Sequence, residues 1–293
     1  MSASETPEYC IIMPLQPMTV GCWIDRSQWP HHVTVCPEFH SGPQDIDALA
    51  AVLRRVAATT SPRSASIGEE AHFGPNGETI VQLVESNDLH RLHVTLMEAL
   101  SAVARVESLV PEYNSAGFRP HMTVIEGSQL GRGSSLSLGT LLLVEIAPDG
   151  DRSMAVPVAT ATVGVSVNDE SVSAERAAGA WSMLDGEGIH SLVIGGWGVD
   201  ALVGRQTRDH HDLDLLVLDE DVGSMLKFLE TMGSGPQYLW SENRWHDRLP
   251  SAFVAELAGI EVDVHAQGPI LTRRAAHKWN HHRDVSGHYL GRL

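Results

Sequence analysis

Lysine is nearly absent from this chain of 293 residues. Of its 20 basic residues, only Lys227 and Lys278 are lysine, and the rest are arginine. A reaction that passes through a covalent lysyl–nucleotide therefore has two candidate residues, and neither lies in a Lys-x-Asp-Gly context. That context is associated with ATP-dependent nucleic-acid ligases, so the scarcity of lysine argues against a ligase of that class.

Basic charge as a whole and aromatic side chains are also scarce. There are 37 acidic residues against 20 basic ones, the formal net charge is −17, and aromatic residues make up 5% of the chain. Long nucleic acids and anionic membranes favour basic surfaces, and single strands also need aromatic platforms for stacking. We therefore expect small phosphate-bearing ligands as partners, with no long nucleic acid and no membrane.

Cysteine and long apolar runs are the remaining scarcities. Cys10, Cys22 and Cys36 are odd in number and lack Cys-x-x-Cys spacing, which predicts reduced thiols and neither a disulfide framework nor a zinc site. No run approaches the roughly 18 apolar residues of a membrane span. Residues 1–7 are polar and acidic, without the basic and apolar regions of a secretory signal. These features predict a cytoplasmic protein.

Length and pattern favour two α+β domains. Domains usually hold about 100–200 residues, and a polar stretch without strong periodicity at 166–173 separates two series of elements. We therefore predict domains at 1–165 and 174–293, joined by a linker at 166–173. Apolar spacing predicts helices over 46–59, 87–106, 174–184, 199–203 and 219–232, and strands over 9–15, 32–36, 79–85, 118–125, 139–146, 154–165, 190–194, 213–218, 252–257 and 260–265.

Two short segments of the first half share one pattern. His32 and Thr34 flank a valine, His121 and Thr123 flank a methionine, and in each case a proline precedes the histidine and a valine follows the threonine. Side chains two positions apart lie on the same face of a strand, so each histidine should stand beside its threonine. The neighbouring His31 is expected on the opposite face. If the strands meet, two imidazoles and two hydroxyls converge on one cleft.

This set of groups suits phosphodiester chemistry without a metal. One imidazole can take a proton from the attacking water while the other protonates the leaving oxygen. The hydroxyls can donate to the non-bridging phosphate oxygens, on which negative charge builds in the transition state. A single His-x-Thr is most simply a chance tripeptide, but two matched copies make that interpretation much weaker.

Residues 8–165 resemble the 2H phosphoesterases, the superfamily that includes 2′-5′ RNA ligase-like proteins and cyclic phosphodiesterases. The resemblance implies a bilobal α+β fold with His32 and His121 as acid and base and with Thr34 and Thr123 as phosphate ligands. It implies 2′,3′-cyclic phosphates, 2′,5′-linked oligonucleotides, short RNA or related small phosphodiesters as substrates, and no metal cofactor.

A different constellation lies in the second half. Gly195 and Gly196 end a predicted strand and precede a helix, where backbone N–H groups and a helix N-terminus could receive phosphates. Asp212 and Asp214 share one face of the next strand. Asp263 lies in a further apolar strand and could supply a third carboxylate. Carboxylate ligation favours Mg²⁺ held jointly with substrate phosphates.

The ordered set Gly-Gly-Trp, Arg-x-His-x-Asp-x-Asp and Val-Asp-Val-His is similar to that of nucleotidyltransferases with the DNA polymerase β-like fold. Within that superfamily, residues 174–293 resemble aminoglycoside 2″-adenylyltransferase and lincosamide nucleotidyltransferases. The resemblance implies a nucleoside triphosphate, with ATP as the favoured co-substrate. It also implies that this triphosphate is seated by Gly195, Gly196 and Trp197, with Arg208 and His210 ordering the site or touching phosphates.

The same resemblance implies that Asp212 and Asp214 bind Mg²⁺ and that Asp263 ligates metal or acts as the base on the acceptor hydroxyl. Glu261 is the alternative third carboxylate, because it shares the face of Asp263 on a strand. The acceptor is expected to be a hydroxylated small molecule such as an aminoglycoside or a lincosamide, bound in an acidic pocket.

Three functional hypotheses stay open at this point. The first is a bifunctional enzyme that joins phosphodiester hydrolysis to nucleotidyl transfer onto a small molecule. The second is an RNA-end or nucleotide-signal processing enzyme whose transferase acts on RNA. The third is a regulatory protein with one vestigial site. The complete sets of His, Thr and Asp residues disfavour the third, and the charge of −17 disfavours the second.

Overall fold

The structure is a computed structural model that describes residues 6–61, 63–74, 76–103, 106–125, 129–165, 171–239, 245–246 and 249–267. Its contacts divide the chain into two compact units, Met1–Val167 and Asn168–Leu293. Residues 166–170 of the predicted linker and the C-terminal residues 268–293 lie outside the described residues.

The first unit contains strands and two helices in alternation. Its strands are β1 (Glu8–Pro14), β2 (Ile24–Asp25), β3 (His32–His40), β4 (Arg63–Phe73), β5 (Thr79–Glu85), β6 (Glu107–Ser108), β7 (His121–Thr123), β8 (Ser135–Leu138), β9 (Thr140–Ile146) and β10 (Met154–Thr162). Its helices are α1 (Ile46–Thr59) and α2 (Asn87–Ser101). Single 3₁₀ turns lie at Arg26–Gln28, Pro43–Asp45, Pro111–Tyr113, Ser115–Gly117 and Pro148–Gly150.

Two antiparallel sheets organise this unit. One has the strand order β10-β9-β1-β3-β6, with β2 beside β10, and the other has the order β7-β5-β4-β8. Each sheet therefore contributes one of the two histidine strands, β3 from the first and β7 from the second. The two strands contact each other, so the fold brings together segments that are far apart in the chain.

Helix α1 covers the first sheet because its apolar residues recur at helical spacing. Ile46, Leu49, Leu53 and Val56 lie on one face and are buried, and α1 packs on β9, β10 and α2. Burial of each such side chain contributes roughly 1.5–3 kcal/mol. Helix α2 has a similar stripe that packs on β3, but this stripe includes one polar residue, His93, among its leucines.

The second unit is a mixed sheet flanked by helices. Its strands are β11 (Ser191–Val193), β12 (Asp212–Leu218), β13 (Pro236–Leu239), β14 (Trp245–His246), β15 (Leu249–Pro250), β16 (Ala252–Leu257) and β17 (Ile260–Gln267), and its helices are α3 (Ala174–Gly186), α4 (Gly195–Val203) and α5 (Val222–Thr231), with a 3₁₀ turn at Asp219–Asp221. The sheet order is β11-β12-β17-β16-β13, while β14 pairs with β15. The neighbours β12 and β17 run parallel, and the other pairs are antiparallel.

Several predicted boundaries differ from the structure. The helix predicted over 87–106 ends at Ser101, and the helix predicted from residue 199 begins at Gly195, so the glycine pair is its first turn and not a preceding loop. The helix predicted over 219–232 divides into the 3₁₀ turn and α5. The sequence pattern does not predict seven of the strands, namely β2, β4, β6, β8, β13, β14 and β15. Across the described ranges, no helix has both the length and the apolar character needed to cross a membrane.

Candidate active sites

A cavity of about 750 Å³ in the first unit is lined by the four residues of the matched motifs, His32, Thr34, His121 and Thr123. The middle residues of the two motifs, a valine and a methionine, are fully buried on the other side of their strands. The strand periodicity thus places two imidazoles and two hydroxyls on one cavity wall, as the sequence predicts.

The two histidines are held in the same way. Nδ1 of His32 lies 2.8 Å from the carbonyl oxygen of Pro30, and Nδ1 of His121 lies 2.8 Å from the carbonyl oxygen of Arg119. In both cases the acceptor is the residue two positions earlier. A carbonyl only accepts, so the Nδ1 atom of each ring carries a proton. Nε2 of each neutral ring is therefore a proton acceptor available to a ligand.

Each imidazole also rests against an aromatic ring that an arginine contacts. The ring centroids of His32 and Trp29 are 4.7 Å apart, and those of His121 and Phe73 are 4.6 Å apart. The guanidinium of Arg26 lies 5.9 Å from the Trp29 ring, and that of Arg119 lies 4.9 Å from the Phe73 ring. These supports restrict the rotation of both imidazoles. The sequence pattern does not indicate these supports, although Trp29 and Arg119 lie within three residues of the motif histidines.

Burial lowers the pKa of both histidines below the usual 6.5. The hydrogen bond to the Pro30 carbonyl opposes the shift at His32, while the charges of His121 and His31 add to it. At His121 the hydrogen bond to the Arg119 carbonyl opposes the shift and the Arg119 charge adds to it. Both rings are therefore biased toward the neutral form near pH 7, in which Nε2 accepts a proton.

The expectation that His31 points away from this cleft is wrong. His31 borders the same cavity, and its charge contributes to the lowered pKa of His32. The alternation of a strand does not govern His31, because β3 begins at His32. The two threonines differ in exposure: Thr34 is half-buried, whereas Thr123 is exposed.

The carboxylates of the second unit lie on two neighbouring parallel strands. Asp214 on β12 is the register partner of Asp263 on β17, and Asp212 is the partner of Glu261. These four residues share one face of the sheet, since each pair is two positions apart along its strand. Leu213, between the two aspartates, is fully buried on the opposite face. The predicted third carboxylate is therefore brought beside the Asp-x-Asp pair.

The electrostatics of this face favour a cation. Burial raises the pKa of Asp214 above its usual value, and the neighbouring charge of Asp212 raises it further. His265, a backbone hydrogen bond from Gly196 and the charge of Arg208 act in the opposite direction. A bound cation would offset the repulsion between the two carboxylates.

The donor set fits Mg²⁺ that is shared with a substrate. In the described part of the chain, no three His, Cys, Asp or Glu side chains are close enough to hold a metal by themselves. Mg²⁺ commonly takes one or two protein carboxylates and completes its octahedron with water and substrate phosphates. Asp212 and Asp214 would supply those carboxylates, with Asp263 and Glu261 beside them.

Two glycines allow the backbone of α4 to pack closely beside these carboxylates. Gly195 has φ +59°, and a Cβ there would overlap the carboxylate of Asp214. A Cβ at Gly196 would overlap the His210 imidazole and come within 2.8 Å of Arg208 Nη2. The glycine pair therefore allows the first turn of α4 to approach Asp214, His210 and Arg208, next to the backbone N–H groups that a helix N-terminus presents.

Asp200 is a residue of this site that the sequence analysis missed. It is fully buried on α4, and it accepts hydrogen bonds from Thr207 Oγ1 (2.5 Å), Thr207 N (3.0 Å) and His210 Nε2 (2.7 Å). Chiefly the hydrogen bond from the Thr207 hydroxyl lowers the pKa of Asp200 to about 2. Asp200 thereby ties the loop before β12 to α4 and orients His210.

Trp197 lies in the same buried group. Its ring centroid is 4.4 Å from that of His210, and its side chain is 1% exposed. Because the ring is buried, only the backbone of Trp197 is available to contact a nucleotide. The ring itself packs against His210.

Comparison with known proteins matches each unit to a family. Residues 17–130 match the 2'-5' RNA ligase superfamily, and residues 179–269 match the family described as Aminoglycoside-2''-adenylyltransferase. A Geobacillus kaustophilus protein named "Putative phosphoesterase GK0864" is 34% identical over 96 residues, which are 32% of this chain and 50% of that protein. The chain thus spans half the length of this curated relative.

Two solved structures are similar to parts of the chain. One is TT0787 of Thermus thermophilus, at 14% identity over 54% of this chain and 98% of that chain, with a TM-score of 0.39. The other is ANT(2")-Ia in complex with adenylyl-2"-tobramycin, at 25% identity over 31% of this chain and 48% of that chain, with a TM-score of 0.26.

The fold and the family matches define an α+β protein of two domains, and the predicted fold class is confirmed. Residues 17–130 match the 2′-5′ RNA ligase superfamily and residues 179–269 match the aminoglycoside-2″-adenylyltransferase family, which confirms both resemblances seen in the motifs. Both are families of enzymes, phosphoesterases and nucleotidyltransferases respectively.

Proposed function

We propose that the first domain hydrolyses small phosphodiesters, namely 2′,3′-cyclic or 2′,5′-linked nucleotides, without a metal. The single observation that carries this proposal is the matched anchoring of His32 and His121 in one cavity, each by Nδ1 to the carbonyl two residues earlier. This arrangement presents two Nε2 atoms of defined protonation to a ligand, as acid–base catalysis requires.

The reaction follows from those two nitrogen atoms. Nε2 of one neutral histidine takes a proton from water as the water oxygen bonds to phosphorus. The bond from phosphorus to the leaving oxygen breaks, and that oxygen receives the proton held on Nε2 of the other histidine. The hydroxyls of Thr34 and Thr123 donate to the non-bridging oxygens. The pseudo-symmetry of the two motifs leaves either histidine able to serve as the base.

Hydrolysis in the presence of EDTA tests this proposal. The full chain is incubated with 2′,3′-cyclic nucleotides and with 2′,5′-oligoadenylate, and product is measured over time. We expect hydrolysis to survive the chelator and to fall by roughly 10²–10⁴-fold in His32→Ala and in His121→Ala, the usual range for loss of a general acid or base. His40→Gln, on the same strand as His32 but outside the cavity, is the matched control. Full activity in either alanine variant would overturn the assignment.

We propose that the second domain transfers a nucleotide from a nucleoside triphosphate, ATP in the first instance, to a hydroxyl of a small molecule such as an aminoglycoside or a lincosamide. The pairing of Asp214 with Asp263 across β12 and β17 carries this proposal. Gly195 and Gly196 let the first turn of α4, whose backbone N–H groups would receive the triphosphate, pack against Asp214, Arg208 and His210. The Trp197 ring packs against the His210 ring.

The carboxylates have two proposed roles, metal binding and acceptance of the hydroxyl proton. Asp212 and Asp214 would hold Mg²⁺, which when bound neutralises the departing pyrophosphate and lowers the pKa of the acceptor hydroxyl. Asp263 accepts the hydroxyl proton, and Glu261 is the alternative for that role. The acidic face also suits a cationic acceptor.

Radiolabelled ATP and GTP test the transferase. Each is mixed with the full chain, Mg²⁺ and either an aminoglycoside and lincosamide panel or tRNA, and the labelled product is identified. We expect a labelled small molecule, with activity lost in Asp263→Asn and retained in Glu261→Gln. The reverse ranking would transfer the base to Glu261. Label on tRNA alone would support RNA as the acceptor, and no label in any arm at high protein concentration would end the proposal.

A further inference from the structure

His93 is the polar residue in the otherwise apolar stripe of α2, and the phosphoesterase chemistry leaves it unused. Its side chain is fully buried. Nδ1 lies 2.9 Å from the carbonyl oxygen of Val35, which follows Thr34 on β3. Nε2 lies 2.8 Å from the backbone nitrogen of Ser115, in the turn that precedes β7. One imidazole therefore bridges the segments that carry the two motifs.

The partners of His93 define its protonation state. The Ser115 N–H can only donate, so Nε2 of His93 accepts; the Val35 carbonyl can only accept, so Nδ1 carries the proton. A second proton on Nε2 would place two donors face to face and would break the bond to Ser115. The bridge therefore exists only when the ring is neutral, because a protonated Nε2 cannot accept the hydrogen bond from Ser115.

The turn held by this bridge forms part of the cavity wall. The Phe118 ring stacks on His93 with centroids 4.0 Å apart and planes 6° from parallel, and Gly117 and Phe118 line the cavity. Ser115 has a left-handed backbone with φ 50°, an unfavourable conformation for a residue with a side chain. A conformation of that kind needs external contacts to persist, and the hydrogen bond from its N–H to His93 is one of them.

We propose that His93 is a positioning residue for the two-histidine reaction, whose neutral ring holds the turn at residues 115–118 against β3 and so sets His121 opposite His32. The proposal rests on the proposed phosphodiester hydrolysis for its catalytic consequence. The bridge itself can be measured without any substrate.

The surroundings of His93 determine the pH below which the ring is protonated and the bridge breaks. Burial lowers the pKa of His93 below 6.5, and the charge of His90, one turn earlier on α2, lowers it further, while the hydrogen bond to Val35 opposes the shift. The groups that meet the ring from β3 and from the turn are uncharged: a carbonyl, an amide and the Phe118 ring. Acidification through this lowered pKa should therefore open the turn.

The first test uses the wild-type chain alone. Long-range ¹H–¹⁵N spectra with ¹⁵N-labelled histidine should show the His93 ring, assigned by its disappearance in His93→Gln, as the Nδ1–H tautomer at pH 7.5. Hydrogen exchange of peptides covering residues 111–118 should show a protection factor that falls by roughly fivefold or more as His93 is protonated. An Nε2–H tautomer, or protection that does not change with pH, would overturn the proposal.

The second test connects the bridge to catalysis. His93→Leu removes both hydrogen bonds, and we expect kcat for a 2′,3′-cyclic nucleotide to fall roughly 10- to 100-fold, in keeping with a small misplacement of a catalytic group. His93→Gln keeps one donor and one acceptor, and it should recover part of kcat and lose the pH dependence of exchange. His40→Gln serves as the control histidine. Unchanged kcat in His93→Leu would overturn the proposal.

The outcomes separate the two hypotheses. The wild-type protein could hydrolyse none of the substrates and still show the expected tautomer and hydrogen exchange. In that case the proposed function fails and the hydrogen-bond bridge of His93 stands. If His32→Ala abolishes hydrolysis while both His93 variants retain wild-type kcat, the function stands and the positioning role of His93 fails.

Discussion

At the scale of single residues, the two site histidines are set apart by the cavity that both of them line. The chain has 16 histidines, and within this cavity His32 and His121 each have an Nδ1 anchor to the backbone and an aromatic support. The anchor defines which nitrogen exchanges a proton, and burial sets the pH at which it does so. Acid–base chemistry depends on both.

This arrangement predicts the pH dependence of hydrolysis. The pKa of each histidine is lowered below the usual 6.5. The active form of the free enzyme, with one imidazolium and one neutral imidazole, is therefore favoured on the acidic side of that value. The kcat/KM profile reports the pKa values of the free enzyme. We therefore expect a bell-shaped profile with its maximum on the acidic side of pH 6.5, measured with a 2′,3′-cyclic nucleotide.

Replacement of Arg119 refines the same prediction. Arg119→Met removes the charge that lowers the pKa of His121 but keeps the backbone carbonyl that anchors it. The limb of the profile that His121 controls should move to higher pH. Arg91→Met, an exposed arginine on α2, should leave both limbs in place. A profile unaffected by Arg119→Met would show that this charge does not act on His121.

At the scale of elements, the junction of β11 and α4 holds the start of this helix against Asp214. Ile194 donates its backbone N–H to the Asp214 carbonyl at 2.9 Å, and α4 begins directly afterwards at Gly195. The strand pairing brings the backbone so close to Asp214 that a residue with no side chain and a left-handed φ is needed. The glycine is thus required by both its neighbour and its backbone angle.

Gly195→Ala tests that requirement against a matched glycine. Gly188 also has a left-handed backbone, with φ +74°, but a Cβ there meets no atom within 4 Å. Both alanine variants should lose about 1–2 kcal/mol of stability from the backbone angle, as measured by chemical unfolding. Only Gly195→Ala should also displace Asp214 and abolish nucleotide transfer. Equal transfer activity in the two variants would refute the steric role of Gly195.

The sequence predicts an element correctly where the burial of its residues follows from local periodicity. Helix α1 and strand β5 have the predicted bounds because their apolar residues repeat regularly. Strand β4 was missed because it is rich in polar residues, and its pairing with β5 shifts register between Ile67 and Glu70. Strand periodicity also indicated which site residues share a face. The role of Asp200 could not be predicted, since its burial depends on the loop that folds back from Thr207 to His210.

At the scale of the whole molecule, the chain combines two candidate sites whose proposed reactions have different requirements. The first site uses neutral imidazoles and hydroxyls, and its proposed reaction needs no metal. The second presents carboxylates on adjacent parallel strands, where a divalent cation and a triphosphate would bind together. The net charge of −17 suits this division, because neither site relies on a broad basic surface. The residues of each site lie entirely within one unit, Met1–Val167 or Asn168–Leu293.

That separation predicts two independent activities in one chain. Asp212→Ala should abolish nucleotide transfer and leave the hydrolysis rate unchanged, since Asp212 belongs to the proposed cation site and lies in the second unit. His121→Ala should do the reverse. The double variant should show both losses with no extra effect on either, because residues without shared partners act additively. Measurement of both activities in all four proteins under identical conditions checks this. A loss of hydrolysis in Asp212→Ala with a retained unfolding midpoint would show instead that the two sites are coupled, and the chain would then have to be treated as a single catalytic system.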